Sequence, residues 1–310
     1  YIKRLPVSTY RKQRRGGRGV SGLETKEEDF VKDLFIASAH QYMLFFTSKG
    51  RVYWRKVHEL PRAGRTARGR AIVNVLSLEK DETVTAFLPV RDLNEENLFV
   101  FMVTRMGVVK KTALKAFSNP RTKGIIALDL DAKDELIEVQ ITSGEDNILI
   151  ATHAGMAIRF PEKDVRPMGR TARGVIGIRL DEGDYVVGVS LAHEEGTVLS
   201  ITENGFGKRT KVGEYRLQHR GGRGIINIKT SDRNGSVVGM LTVDDDDEIV
   251  LVATNGVVIR MGLQHLRTIG RNTQGVRVMK PQAGARVSAV AQAVPEAKEA
   301  RVTEDSSTAE

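Results

Sequence analysis

Arg14-Arg15-Gly16-Gly17-Arg18-Gly19, the run RRGGRG, decides the fold reading, because weaker copies of it recur down the chain at nearly constant spacing. The copies end on Gly69 (GRTARG), Gly124 (PRTKG), Gly174 (GRTARG), Gly224 (HRGGRG) and Gly275 (GRNTQG), so the steps from Gly19 are 50, 55, 50, 50 and 51 residues. A period of this size with strand-like patterning marks a radial or stacked repeat rather than a string of independent domains.

Around each copy the same order of segments appears. An apolar, β-rich run opens the unit: YMLFFT from Tyr42, LFVFMVT from Leu98, ILIATH from Ile148, TVLSIT from Thr197 and IVLVAT from Ile249. A tight turn follows at Gly50, Gly107, Gly155, Gly205 and Gly256, and the Asn-Gly pairs at 204–205 and 255–256 predict type I′ hairpins. The second strand carries a basic residue (Lys111, Arg159, Arg209, Arg260, with Arg55 shifted by one), and the glycine-arginine box comes next. A third strand (AIVNVL, IIALDL, VIGIRL, IINIKT, VRVMK), a polar turn and a fourth strand such as TVTAFLPV complete the unit. Four short antiparallel strands per repeat predict an all-β, propeller-like array of six blades. The units run 1–41, 42–96, 97–146, 147–195, 196–247 and 248–293. The first blade is incomplete at the N-terminus, because Tyr1-Ile2-Lys3-Arg4 already reads as a second strand. The stretch 294–310 has no periodicity and reads as an acidic disordered tail.

The 310 residues carry a formal net charge of +9, and the tail is acidic, so the repeats are more basic still. That sign predicts a polyanionic partner. A membrane fits poorly, since no apolar run approaches the roughly 18 residues of a spanning helix. With no cysteine the chain has neither disulfides nor thiolate metal sites, which agrees with a cytoplasmic, nucleoid-associated setting.

Arginine brings a fixed charge and a planar fork that matches phosphate oxygens, and glycine lets backbone amides approach the same anion. A single copy could equally be a solvated turn. Six copies in register between the second and third strands would lie on one rim as a basic band. Its candidate contacts are Gln13, Arg14, Arg15, Gly16, Gly17, Arg18, Gly19, Arg65, Arg68, Arg70, Arg121, Lys123, Arg170, Arg173, Arg220, Arg223 and Arg271. Phosphate contacts fix register without reading bases, and aromatics, 5% of the chain, are absent from the boxes, which disfavours single strands. Bent duplex DNA is the expected partner. Turning it through most of a circle costs about 20–40 kcal/mol by elastic extrapolation, so many stations must share the load, with a log–log salt slope of about −10.

No enzymatic site emerges. The six histidines lack ligand spacing, Gly205 to Thr210 is a hairpin turn despite its likeness to a phosphate loop, and Asp244 to Asp247 reads as a solvated connection rather than a cation site. Tyr10 and Tyr215 are not assigned as nucleophiles, and no metal or cofactor is expected in this chain.

Gln13-Arg14-Arg15-Gly16-Gly17-Arg18-Gly19 matches the heptapeptide known as the GyrA box of bacterial DNA gyrase. With KEEDFV, GRVYWRKVHELP, NGFGKRT and Ile269 to Val276, nearly the whole chain resembles the C-terminal domain of the gyrase A protein. The resemblance implies a six-bladed β-pinwheel whose blades exchange strands, as a closed ring or an open spiral, with duplex DNA wrapped outside to present the transfer segment for negative supercoiling. It also implies partners elsewhere in the holoenzyme: the gyrase A breakage-reunion domain, which holds the cleaving tyrosine, and the gyrase B subunit. ATP and Mg2+ would act there. The related domain of topoisomerase IV, with a degenerate box, and a propeller-like scaffold for acidic proteins are the alternatives.

Overall fold

In the computed structural model the described residues are 1–4, 37–64, 67, 69–255 and 257–293. The box at Gln13 to Gly19, Arg65, Arg68, Tyr10 and the tail 294–310 lie outside them.

Opening strands form where the apolar runs predict, at Tyr42–Thr47, Phe99–Thr104, Asn147–Thr152, Thr197–Thr202 and Glu248–Ala253. Each makes an antiparallel hairpin with the segment after its turn glycine. The turn is not the expected type I′. Asn204 does not have positive φ; Gly205 does, at 76°, and its N–H donates to the Thr202 carbonyl at 2.9 Å. This is a three-residue loop in which a type I turn ends on a left-handed glycine. Gly50, Gly107 and Gly155 donate in the same way to Thr47, Thr104 and Thr152.

The closing strand of each unit (Val84–Val90, Leu136–Thr142, Val186–Leu191, Val237–Val243, Val287–Ala293) pairs on the other side of the opening strand, with a bulge at the same slot in every blade. The expected third strand does not stay in its own unit. It shrinks to two residues, Ile125–Ile126, Val175–Ile176, Ile225–Ile226 and Val276–Arg277, and each pair adds to the second strand of the preceding blade. In unit two the corresponding segment is a 3-10 turn at Ile72–Asn74, and Arg70 bridges to Ile2 instead. The exchange has a local cause. The carbonyls of Gly50, Gly107, Gly155 and Gly205 each accept two N–H groups from the next unit, as Gly107 does from Gly177 at 2.9 Å and Ile178 at 3.3 Å, and this pulls the chain across after two paired residues.

Among the described residues there are five sheets, four of four strands and one of three, rather than the six blades expected. Of the first unit, the described residues 1–4 make the isolated bridges Ile2↔Arg70 and Arg4↔Arg62 and belong to no sheet. The last sheet has three strands because its edge receives no exchanged pair among the described residues.

Blades bury both faces, which explains why the opening strands are apolar at nearly every position. Leu44, Phe46 and Trp54 pack with Val100, Met102 and Leu136 of the next blade, while Met43, Phe45 and Tyr53 pack on Leu60 and Leu76 of their own unit with Ile2 of the first unit against them. Phe101 and Val103 pack forward onto Ile148, Ile150 and Phe160. Closing strands approach one another closely: a Cβ on Gly239 would lie 2.5 Å from Val290 Cγ1. Stability is therefore distributed over blade-to-blade interfaces.

Candidate nucleic-acid interface

The described boxes are joined neighbour to neighbour by one repeated set of contacts. Asp129, Arg179 and Lys229, each five residues after a box-ending glycine, donate their N–H to Ala172, Gly222 and Thr273 of the following box at 3.3, 2.9 and 2.9 Å. Loops three to six thus form a chain in which every box rests on the strand that leaves the box before it.

Within a box the arginines have two different roles. Arg170, Arg220 and Arg271, four residues before the final glycine, are half-buried and reach back to the preceding exchanged pair. Their Nη1 atoms donate to the carbonyls of Ile126, Ile176 and Ile226 at 3.2, 3.0 and 2.6 Å, and Arg220 Nε adds a bond to the Asp164 carbonyl at 2.9 Å. These three staple blades together. Arg173 and Arg223, one residue before the final glycine, are exposed; Arg173 meets Asp131 at 2.7 Å and Asp129 at 3.5 Å, and Arg223 meets Asp181 at 3.5 Å. Surface pairs of this kind are weak and exchangeable, so these tips remain available to an anion. Lys123 holds the same slot in box three and is exposed, as are Arg121 and Arg70. In box six the slot is Gln274, bonded to Ser231.

The final box glycines are required by the fold. Gly174 has φ of 101° and Gly224 of 78°, and a Cβ on either would meet the carbonyl of Val109 or Ala157 at 2.4 or 2.3 Å. Their freedom lets the chain turn onto the neighbouring strand.

The basic slot of the second strand is likewise structural. Lys111, Arg159 and Arg209 are buried and bridge to Pro167, Leu217 and Thr268, each seven residues before a box glycine. Lys111 lies 3.6 Å from the buried Glu162 carboxylate, Arg159 pairs with Glu194, and Arg209 Nη1 donates to the Leu263 carbonyl at 3.3 Å. Arg260 is exposed and pairs with Glu248.

Two lysines escaped the sequence reading. Lys110 and Lys208 are fully buried beneath boxes four and six. Lys110 Nζ donates to the carbonyls of Ala127 at 2.7 Å and of Arg170; Lys208 Nζ donates to those of Gly270 at 2.8 Å and of Arg271. Burial pushes both ammonium groups down to about 8. A lysine three residues after a turn glycine, in a strand otherwise holding Tyr53 or Ile158 at that place, was the signal that could have found them. Tyr215 is buried, with its hydroxyl on Asn227 Oδ1 at 2.7 Å and its pKa raised by burial, so it is a core residue. Asp244 to Asp247 form a self-bonded turn, Asp244 N–H to Asp247 Oδ2 at 2.8 Å, with Asp245 paired to Arg209. Among the described residues no helix is long and apolar enough to cross a membrane.

Small antiparallel sheets in propeller-like succession, sharing strands and carrying arginine loops at their junctions, define a strand-exchanged, propeller-like repeat domain. The family described as DNA gyrase C-terminal domain, beta-propeller, matches residues 1–38, 41–91, 99–143, 146–193, 196–244 and 247–293. The chain belongs to that family. The DNA gyrase A protein of Halalkalibacterium halodurans is 51% identical over 291 residues, 94% of this chain and 35% of that protein. Its counterpart in Salmonella typhimurium is 47% identical over 280 residues, 90% of this chain and 32% of that protein. This chain therefore spans about a third of the length of these relatives. Among solved structures, the C-terminal domain of DNA topoisomerase IV aligns with a TM-score of 0.80 at 28% identity, covering 87% of this chain and 84% of that one. A DNA gyrase A C-terminal domain aligns with a TM-score of 0.73 at 25% identity, covering 95% and 96%.

Proposed function

We propose that this domain, residues 1–293, binds duplex DNA without sequence readout and wraps it along the chained boxes, presenting a transfer segment for negative supercoiling by a parent gyrase. The observation that carries this reading is the identical linkage of boxes three to six, which strings the exposed cations Lys123, Arg173 and Arg223, each one residue before a box-ending glycine, along a connected path. A path of phosphate contacts orients DNA and carries no base identity. Gln13 to Gly19, with the densest charge, would nucleate the wrap, and Arg65, Arg68, Arg70 and Arg121 would extend it. The breakage-reunion domain and the gyrase B subunit, with their ATP and Mg2+ chemistry, are the implied partners in the longer protein.

Closing a nicked plasmid with a sealing enzyme in the presence of the domain tests this. Wrapping shifts the linking-number distribution in proportion to protein added. Binding with no shift would reject wrapping and leave a DNA-tethering module. A domain of the topoisomerase IV type is the second reading, supported by the higher TM-score of that comparison; the intact heptapeptide at 13–19 favours the gyrase type.

A further inference from the structure

The second-strand lysines alternate around the array. Lys110 and Lys208 stand three residues after turn glycines in units three and five, and Lys3, aligned through the Ile2↔Arg70 and Val109↔Val175 pairings, holds the same place in unit one. Units two, four and six have Tyr53, Ile158 and Ile259 there. Each lysine reaches under the next unit's box. Lys3 Nζ donates to the carbonyls of Gly64 at 3.0 Å and Ala67 at 2.6 Å in box two, whereas Lys110 and Lys208 reach the arginine carbonyls of boxes four and six. The three boxes with a lysine beneath them open on Gly-Arg, at Gly64-Arg65, Gly169-Arg170 and Gly270-Arg271; the other three open on Arg14, Asn119 and His219.

Peptide geometry turns this cage into a directional device. A trans peptide is planar, with its C=O and N–H pointing opposite ways, and the chain has no cis bond among the described residues. The Arg170 and Arg271 carbonyls point inward at buried ammonium groups, so the N–H groups of Thr171 and Asn272 point outward. Both residues are exposed, and neither N–H donates to a protein acceptor among the described residues. In box five the equivalent N–H is consumed, since Gly221 donates to the Gly177 carbonyl at 2.6 Å; in box three that of Thr122 meets no protein acceptor among the described residues, but no lysine lies behind its peptide to fix the orientation.

We propose that Lys110 and Lys208 are positioning residues that present the Thr171 and Asn272 amides as phosphate-oxygen sites, adding backbone stations to the side-chain contacts of the same loops. Each station offers one N–H, since those of Ala172 and Thr273 are bonded within their loops; a bond from a backbone N–H to an oxyanion is charge-assisted and strong, and the ammonium group behind the peptide adds a favourable charge. The ligand chemistry is a phosphate oxygen, from a duplex backbone or from free phosphate. The inference rests on the DNA-binding reading of the same rim.

Amide chemical shifts of the whole chain, recorded with a short duplex and separately with inorganic phosphate, test it. The Thr171 and Asn272 N–H resonances should move downfield with duplex at concentrations where phosphate moves them little. In Lys110→Met the Thr171 shift should be lost and the Asn272 shift kept, and Lys208→Met should do the reverse. If duplex moves resonances around Arg173 and Arg223 and leaves Thr171 and Asn272 still in the unmutated chain, the amide sites are rejected and DNA binding stands. If no rim resonance moves with duplex, both fail. Shifts with phosphate but not with duplex would also overturn the proposal.

Discussion

At the residue scale, box arginines that look interchangeable in the sequence divide by position. Arg220 is held between two carbonyls of the preceding blade, whereas Arg223 three residues on extends into solvent beside Asp181. Arg220→Ala should cost about 1–2 kcal/mol in urea unfolding, since it removes two charge-assisted bonds to backbone carbonyls, one of them part-buried. Arg173→Ala and Arg223→Ala should change stability by less than about 0.5 kcal/mol, yet each should weaken duplex binding and remove about one unit from the log–log salt slope. Equal effects of all three on stability would refute the division. The surface carboxylates compete with phosphate for the same tips. Asp131→Asn should therefore tighten duplex binding, read by fluorescence anisotropy at low salt. The sequence contained all of these residues, but a staple and a contact cannot be told apart without knowing how far the next blade's carbonyl lies.

At the element scale, the opening hairpins were legible because a strand buried on both faces must be apolar throughout, and because a turn closing on a left-handed glycine needs that glycine. The turn type was misread from Asn204, although a threonine three residues before each of Gly50, Gly107, Gly155 and Gly205 records the loop that forms, with its carbonyl taking the glycine N–H. The exchanged pairs were not legible. Two residues of β-rich sequence carry too little pattern to name their partner, and the runs IIALDL and VIGIRL invited longer strands in their own units. The junction depends on the box-ending glycine. Gly174→Ala, with φ of 101° and a Cβ 2.4 Å from the Val109 carbonyl, should destabilise the domain by about 2 kcal/mol or more. It should also raise amide exchange in Val175–Ile176 and the facing segment of the preceding blade. Unchanged protection there would mean that the exchange does not need the left-handed turn.

At the scale of the whole molecule, the buried lysines link stability and function with opposite signs. Their ammonium groups titrate at about 8 instead of the ordinary 10.5, with Arg170 and Asp129 facing Lys110 and Glu214 and Arg271 facing Lys208. Between those two values the unfolded chain holds more protons, so stability should rise with pH across that window and be lost as pH falls back to about 8. Duplex affinity should move the other way, falling as pH rises through about 8 and the amide stations lose their backing charge. Denaturant midpoints and binding isotherms from about pH 7 to 10 read both trends; Lys110→Met with Lys208→Met should flatten them, and parallel trends would contradict the linkage. The sequence by itself determined the fifty-residue period, the all-β blades, the basic character and the family, because apolar runs, turn glycines and a specific heptapeptide are properties of local order. Only the tertiary structure decided which blade owns each third strand, which arginines face solvent and which lysines lie beneath the loops. Those outcomes depend on distances between units that are neighbours in space, and a residue's own segment carries no record of what the adjacent blade places against it.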